Sequence, residues 1–255
     1  GARANVQLPL ASEVCSLPTV VLELTGLTGG HSGTEIDKGR ANAAILLGRA
    51  LAAIGKIVPL RIVSAESGLK DNAIPASACA VLAVEPAKLP AVQTRVSELE
   101  AAFRAEHAVS DPGSGNPAPS ALTEAAGKTV VQFLQLVPNG IVSMSMDIPG
   151  LVQTSSNLGI FHVADGLLVA RASVRSSVAS EKEMLLERFA TLCALLGASM
   201  EITGNYPAWE YKRDSALRDT MVRVFTEQYG HAPKIQALHA GLECGLFCGK
   251  IPGLD

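Results

Sequence analysis

Residues 151–176, LVQTSSNLGIFHVADGLLVARASVRS, carry the clearest structural signal in the chain. Two runs rich in β-branched and apolar residues, Leu151–Val163 and Leu167–Ser176, flank the turn Ala164-Asp165-Gly166, in which the glycine can adopt a positive φ. The pattern predicts an antiparallel β-hairpin. A sheet built on such hairpins with amphipathic helices between them is typical of the α+β class.

A helix and a further strand are predicted directly after this hairpin. Ser180 and Glu183 have the S-x-x-E spacing of a capping box, in which two side chains satisfy free backbone N–H groups at a helix start. Gly197 is a suitable left-handed helix stop, and Ser199–Thr203 then reads as a strand. This helix is expected to pack on one face of the sheet.

The residues before the hairpin predict more of the same layered structure. Thr19–Gly26 reads as a strand that enters a glycine-rich loop. A helix capped by Asp37 and ended by a left-handed Gly55 follows, and then two strands, Lys56–Ser67 and Ala73–Val84. The predicted order, completed by a helix after Pro86, is therefore β-α-β-β-α.

The fold class predicted for residues 1–203 is α+β: an antiparallel sheet with helices on one face, of the ferredoxin-like kind. Within it, Asp111–Pro119 (DPGSGNPAP) reads as an exposed loop, and Ser120–Leu136 as a helix. Sequence pattern alone therefore favours one α+β domain for this part of the chain.

From residue 204 onward the pattern changes to alternating helix and strand. A helix over Asp214–Tyr229, a short strand over Lys234–Leu238 and a helix from Ala240 are typical of a parallel α/β sheet. One or two strands leave a sheet with unpaired edges and an uncovered face. We therefore expect residues 204–255 to be a partial α/β segment whose remaining sheet lies outside this sequence.

Composition narrows the functional classes. The net charge of -3 arises from interspersed residues with no run of five like charges, which argues against nucleic acid or an anionic membrane as partner. No window reaches the roughly 18 apolar residues of a spanning helix, and we expect no signal peptide. Five scattered cysteines favour a reducing compartment, so the expected location is the cytoplasm.

Self-contained catalytic motifs are missing from the sequence. It has no HExxH, no pair of adjacent acidic residues, no GxSxG and no GxxxxGK[ST]. Cys244 and Cys248 have a CxxxC spacing, but no second pair completes a tetrahedral set. No metal ligand is predicted in this chain.

Two loop residues are candidates for a binding role. His31 is exposed to its surroundings because Gly29, Gly30 and Gly33 beside it have no side chains, so the imidazole could donate a hydrogen bond to an oxyanion. The alternative is a sharp turn with a solvated or helix-capping histidine. Asn72 precedes Ala73, and an ordinary turn residue is the alternative reading for it.

Two further candidates lie near an element end. Arg175 follows small and apolar strand residues, where a buried guanidinium requires a carboxylate partner; the alternative is an arginine whose head group reaches water. His239-Ala240-Gly241 places a glycine at a helix N-terminus, where backbone N–H groups can meet an anion. Ordinary helix initiation is the alternative there.

Five stretches together resemble one enzyme family, the aminoacyl-histidine dipeptidases, also called Xaa-His dipeptidases. They occur in the family's order along nearly the whole chain: GLTGGHSGTEIDKGRANA (Gly26–Ala43), DNAIPASA (Asp71–Ala78), QTSSNLG (Gln153–Gly159), SVRSSV (Ser173–Val178) and ALHAGLECGLF (Ala237–Phe247). The last string is specific. The tract Tyr206-Pro207-Ala208-Trp209 also keeps the family's Tyr-Pro-x-Trp.

The resemblance implies a two-domain zinc hydrolase that cleaves unblocked dipeptides, including Xaa-His, with an inserted lid that forms a homodimer. It implies that His31 polarises the scissile carbonyl, that Asn72 and Arg175 bind substrate, and that Gly241 makes a backbone contact to it. The family's ligands for its two zinc ions match no residue here, so this chain alone is expected to be inactive.

A second hypothesis belongs to a different class. The chain could be a non-catalytic ferredoxin-like module that dimerises or binds a ligand. Such a module does not require Arg175 or the HAGLECGLF string, and these two features favour the dipeptidase.

Overall fold

An antiparallel sheet forms the centre of the computed structural model, which describes residues 1–106, 113–115, 120–241, 243–251 and 253–254. Its strands lie in the order β13 (Ser199–Thr203), β1 (Ala2–Pro9), β12 (Leu167–Ser176), β11 (Val152–Ala164), β5 (Arg61–Ser67), β7 (Ala78–Ala83), β3 (Thr19–Leu24) and β8 (Gly113–Gly115), with β10 (Gly140–Met144) also paired to β11. Two small ladders join β2 (Ser12–Val14) to β9 (Ser120–Leu122), and β4 (Gly30–His31) to β6 (Ala73–Ile74).

Four helices pack on the sheet or on each other: α1 (Ala43–Ile54), α2 (Leu89–Glu106), α3 (Glu124–Leu136) and α4 (Ala179–Leu196). Their apolar side chains form one continuous core with alternate residues of the strands, such as Val6, Ala172 and Phe161. The intervening strand residues, such as Arg3 and Arg171, are exposed on the other face. This arrangement confirms the predicted α+β class.

Strand β1 was not predicted. It lies between β13 and β12, where Ala2↔Val174 and Leu8↔Leu168 are paired positions. Its buried residues include two alanines, and small residues give a weaker strand pattern than the Val- and Leu-rich hairpin does.

Three predicted helix signals are wrong in detail. Asp37 lies in a 3-10 turn (Ile36–Lys38), whereas Asn42 caps α1: its Oδ1 accepts from the N–H of Ala44 at 3.0 Å. Helix α4 begins at Ala179 without a side-chain cap, so Ser180 and Glu183 form no capping box. Gly55 has a right-handed φ of -62°, because the chain continues in a right-handed turn with its N–H bonded to Leu51. Gly197 does end α4 in the left-handed conformation.

Several strand and helix limits also differ from the prediction. β5 begins at Arg61 because residues 54–58 form hydrogen-bonded turns after α1. The predicted strand Ala73–Val84 is split into β6 and β7, which belong to different sheets, around Pro75, whose nitrogen cannot donate. Ser120–Leu122 forms β9, and α3 begins only after Thr123, whose side chain caps it.

The predicted loop Asp111–Pro119 lies mostly outside the described residues. Its described part, residues 113–115, is strand β8, which pairs with β3 and therefore departs from the expected loop.

The part of the chain after residue 203 contains α5 (Ala216–Tyr229) and α6 (Glu243–Lys250). The predicted strand Lys234–Leu238 is not a strand, and α6 begins three residues later than expected. No residue of α5 is buried, and apolar side chains such as Met221 (63% exposed) face outward. No helix in the described ranges is long and apolar enough to cross a membrane.

Candidate functional site

The glycine-rich loop holds His31 at the short ladder between β4 and β6. Gly30 has a φ of +145°, and a β-carbon on it would lie 2.9 Å from Oε2 of Glu35. The same Glu35 oxygen accepts from the backbone N–H of His31 at 2.8 Å, while Arg40 pairs with the other oxygen at 2.8 Å and donates to the Gly29 carbonyl. Glycine is thus required here because a charged pair occupies the side-chain space.

The orientation of the His31 ring is fixed by its own loop. Its Nδ1 accepts from the backbone N–H groups of Gly33 at 3.2 Å and Thr34 at 3.1 Å. A nitrogen that accepts two N–H groups carries the lone pair, so the neutral ring bears its proton on Nε2. The free end of this half-buried side chain is therefore a hydrogen-bond donor.

Asn72 adjoins the histidine loop through the backbone. His31 pairs with Ala73, and the N–H of Ser32 donates to the carbonyl oxygen of Asn72 at 2.9 Å. The side chain of Asn72 is exposed at the end of this ladder. The fold thus brings Asn72 beside His31 in space, although 41 positions separate them in sequence.

A set of three asparagine side chains, of which Asn42 and Asn157 are buried, anchors this ladder to the main sheet. Asn157 of β11 donates to the carbonyl oxygens of Ala73 at 2.8 Å and Asp71 at 3.3 Å. Its own oxygen accepts from Asn42 at 3.3 Å, and Asn42 also donates to Asn139. These buried amides fix the turn that carries Asn72. The set could not be identified from sequence, because the three asparagines come from distant segments.

Arg175 lies near the end of β12, opposite Ser155 of β11. The guanidinium is partly buried, and its Nε has no hydrogen-bond partner among the described residues. A buried unsatisfied N–H of an arginine is costly, and a bound carboxylate satisfies it in bidentate geometry. Arg175 therefore has the surroundings of an anion-binding residue.

Gly33 is the point at which the candidate residues meet. A β-carbon on this buried glycine would lie 3.0 Å from Cε1 of His31, 3.3 Å from Cζ of Arg175 and 2.6 Å from the carbonyl oxygen of His239. Any side chain would therefore separate the histidine loop, the hairpin and residue 239. His31 and Arg175, which are 144 positions apart in sequence, thus lie side by side against Gly33.

Gly241 belongs to a separate contact with the Tyr-Pro-x-Trp tract. A β-carbon on Gly241 would lie 2.6 Å from the Tyr206 ring, one on Gly245 would lie 3.1 Å from Trp209, and one on Gly249 would lie 2.8 Å from Pro207. The three glycines recur every four residues, the spacing of one helix face. This spacing is a sequence signal that could have paired the two motifs.

The contact between His239 and Ser155 was not predicted from the sequence. Oγ of Ser155 lies 2.7 Å from Nε2 of His239. Burial, and secondly the nearby Arg175 guanidinium, lower the pKa of His239 to about 4. The imidazole is therefore neutral near pH 7.

Within the described ranges, no group of three or more His, Cys, Asp or Glu side chains could hold a metal ion. The residues of the site are donors, namely a ring N–H, a guanidinium and backbone amides, and donors bind anionic or carbonyl oxygens rather than cations. The described residues thus do not fit a zinc centre.

Comparison with known proteins links this site to a peptidase family. Residues 22–111 match the M20 peptidase dimerisation domain. The chain is 31% identical over 258 aligned residues to a cytosol non-specific dipeptidase of Escherichia coli (strain K12), covering 99% of the chain and 53% of that relative. It also matches the crystal structure of an aminoacylhistidine dipeptidase from Vibrio alginolyticus at 29% identity with a TM-score of 0.84, covering 97% of the chain and 52% of that protein.

The chain spans about half the length of both relatives. The match includes the hairpin, the histidine loop and the residues after 203, because nearly all of the chain is aligned in each case. The chain therefore contains a match to the M20 peptidase dimerisation domain and, over nearly its whole length, resembles about half of an aminoacylhistidine dipeptidase in sequence and in fold.

Proposed function

We propose that the protein to which this chain belongs is a metal-dependent dipeptidase acting on unblocked dipeptides, including Xaa-His, and that this chain supplies its substrate-anchoring residues. The observation that carries the proposal is the meeting of His31 and Arg175 at Gly33, with Nε of Arg175 buried and without a partner among the described residues. A non-catalytic module has no need for this pair of donors.

Each residue has a proposed role that its chemistry supports. Arg175 binds the free carboxylate of the dipeptide, because a guanidinium matches a carboxylate in bidentate geometry. His31 donates from Nε2 to the oxygen of the scissile carbonyl and stabilises negative charge as it develops there. Asn72 contributes a further polar contact to the substrate, and Gly241 a backbone contact.

The metal of this proposed enzyme is zinc, two ions, as the family resemblance implies. The same resemblance implies that the zinc ligands lie outside this chain, and we derive no catalytic step through the metal. We accordingly propose that the 255-residue chain does not hydrolyse dipeptides by itself.

We further propose a division into two domains, which is supported by the difference in packing between residues 1–203 and the residues that follow. Residues 1–203 are the lid, which contains the dimerisation-domain match and forms a homodimer. Residues 204–255 belong to the catalytic domain, and the exposed apolar face of α5 supports this division. We propose a cytoplasmic location, as the name of the Escherichia coli relative indicates for that protein.

A hydrolysis assay tests the proposal. The 255-residue chain and the longer protein that contains it would each be incubated with zinc and Gly-His, and released histidine would be measured. We expect turnover only in the longer protein, and a lower rate in its His31→Ala variant. Turnover by the short chain would overturn the division of roles. No turnover by the longer protein would overturn the dipeptidase assignment and favour a binding module.

A further inference from the structure

His239 connects the segment after residue 203 to the sheet through its side chain. Its Nε2 lies 2.7 Å from Oγ of Ser155, which is 1% exposed on β11. The ring also faces the backbone of Val152 on the same strand, and this interaction raises the pKa of His239 against the larger effect of burial. Both contacts are to β11, so this strand sets the ring orientation.

The backbone of His239 contacts a second element of the site. Its carbonyl oxygen would lie 2.6 Å from a β-carbon on Gly33, so only glycine allows this approach. His239 therefore contacts both the loop that carries His31 and the hairpin that carries Arg175. Gly241, another candidate contact to substrate, is two residues further along the same segment.

The Ser155–His239 pair has the atoms of a serine nucleophile and base but not their surroundings. In a catalytic triad a carboxylate orients the imidazole, whereas here a backbone group does. Ser155 is almost fully buried, so no substrate carbonyl can approach its hydroxyl. The pair is therefore suited to holding structure in place, and not to bond cleavage.

We propose that His239 and Ser155 are a positioning pair, which holds the turn bearing Gly241 against Arg175 and so fixes the distance between the two ends of the dipeptide site. This inference rests on the proposed function, because it assigns the pair's purpose to substrate alignment. Loss of the pair is expected to free the turn while Arg175 stays on its strand.

The test compares four variants of the chain by NMR-monitored titration with Gly-His and with its C-terminal amide. His239→Ala and Ser155→Ala remove the hydrogen bond between Ser155 and His239, whereas His239→Gln retains a donor and an acceptor at this position. His162→Ala is the control, because His162 is an exposed histidine on β11, the strand that carries Ser155. We expect His239→Ala and Ser155→Ala to bind Gly-His about tenfold more weakly than the wild type does, and to bind Gly-His no more tightly than its C-terminal amide. His239→Gln is expected to recover most of both, and His162→Ala to match the wild type.

Retention of the wild-type preference by His239→Ala and Ser155→Ala would overturn the proposal. If His239→Ala does not fold, Ser155→Ala decides the matter, since it removes only one buried hydroxyl. If the wild type itself does not prefer Gly-His to the amide, the proposed function fails. The positioning role is then tested without ligand, by the NMR amide signals of Gly33 and Gly241. Signals that shift in His239→Ala and return to their wild-type positions in His239→Gln would support the positioning role. Signals that do not change in His239→Ala would overturn it.

Discussion

Arg175 meets Ser155 because of one irregularity in β11. From the turn at Ala164↔Leu167 to the pair Ile160↔Arg171, successive residues of the two strands are paired one to one. Gly159 has no partner, so the next pair is Leu158↔Ala172 and the register is shifted by one residue from there on. Without the shift Ser156 would lie opposite Arg175, and Ser155 would point to the opposite face of the sheet. Gly159 is needed at this bulge, because a β-carbon there would collide with the backbone carbonyl of Asp71.

His239 predicts a specific pH dependence of stability. An unfolded histidine has a pKa near 6.5, whereas burial and Arg175 lower the pKa of His239 in the folded chain to about 4. Between these values the unfolded chain binds a proton that the folded chain does not, so the free energy of unfolding should fall as the pH is lowered from about 6.5 to about 4, by roughly 1 to 3 kcal/mol. Below pH 4 this contribution should level off.

Urea unfolding of the wild type and His239→Gln at several pH values between 7 and 4 measures this difference. The two stability curves should converge toward low pH, because glutamine does not titrate. Parallel curves over the whole range would contradict a buried neutral His239.

At the scale of elements, the small ladder that carries His31 and Asn72 depends on Asn157. Asn157→Ala should destabilise the fold by about 1 to 3 kcal/mol, because the buried carbonyl groups of Ala73 and Asp71 lose the Asn157 amide as a donor and Asn42 loses one of its acceptors. Asn72→Ala is the matched control, since that exposed side chain makes no hydrogen bond with the described residues. It should change stability by less than about 0.5 kcal/mol.

Thermal and urea unfolding of the two variants would check this contrast. Equal stabilities of Asn157→Ala and Asn72→Ala would mean that the buried amides do not anchor the ladder.

The spacing of apolar residues predicted strands and helices well where such residues dominate the segment. It predicted them poorly where a helix cap or the pairing of distant strands sets the limits of the element. The hairpin strands β11 and β12, β3 and the left-handed stop at Gly197 follow from local pattern. Asn42, in contrast, caps α1 because Asp37 lies within a 3-10 turn before the helix, and the local sequence does not reveal that turn. Strand β1 is stabilised by pairing with β12 and β13, which are far away in sequence.

The candidate site was predictable as single residues and not as an assembly. His31, Asn72, Arg175 and Gly241 could be named from motifs, but their mutual placement depends on the bulge at Gly159 and the close contact at Gly33. Ser155 and His239 were not recognised as partners for the same reason. Their roles in binding remain predictions that the experiments above test.

At the scale of the whole molecule, the two parts of the chain differ in how they are packed. The sheet and helices α1–α4 share one continuous core, whereas α5 buries no residue and exposes Met221 and Val224. An apolar helix face of this kind normally packs on a sheet. The expected parallel strand after α5 is absent from the described residues, so the predicted α/β character of this part stays a prediction.

The match of residues 22–111 to a peptidase dimerisation domain leads to a prediction about assembly. The chain of 26.4 kDa should sediment at about twice that mass, because it contains the match to the dimerisation domain through which we propose that the dimer forms. Sedimentation equilibrium over a range of concentrations measures this directly. A single monomeric species throughout would contradict dimerisation through the lid.

The central claim is that Arg175 binds the free carboxylate of a dipeptide, and calorimetric titration with Gly-His and its C-terminal amide tests it most directly. The test compares Arg175→Met with the control Arg171→Met. Both arginines lie on β12, but Arg171 is exposed and donates a hydrogen bond to Asn5. The wild type and Arg171→Met should prefer Gly-His to the amide, and Arg175→Met should lose about tenfold or more in affinity for Gly-His only. Equal binding of Gly-His by Arg175→Met and the wild type would contradict the claim.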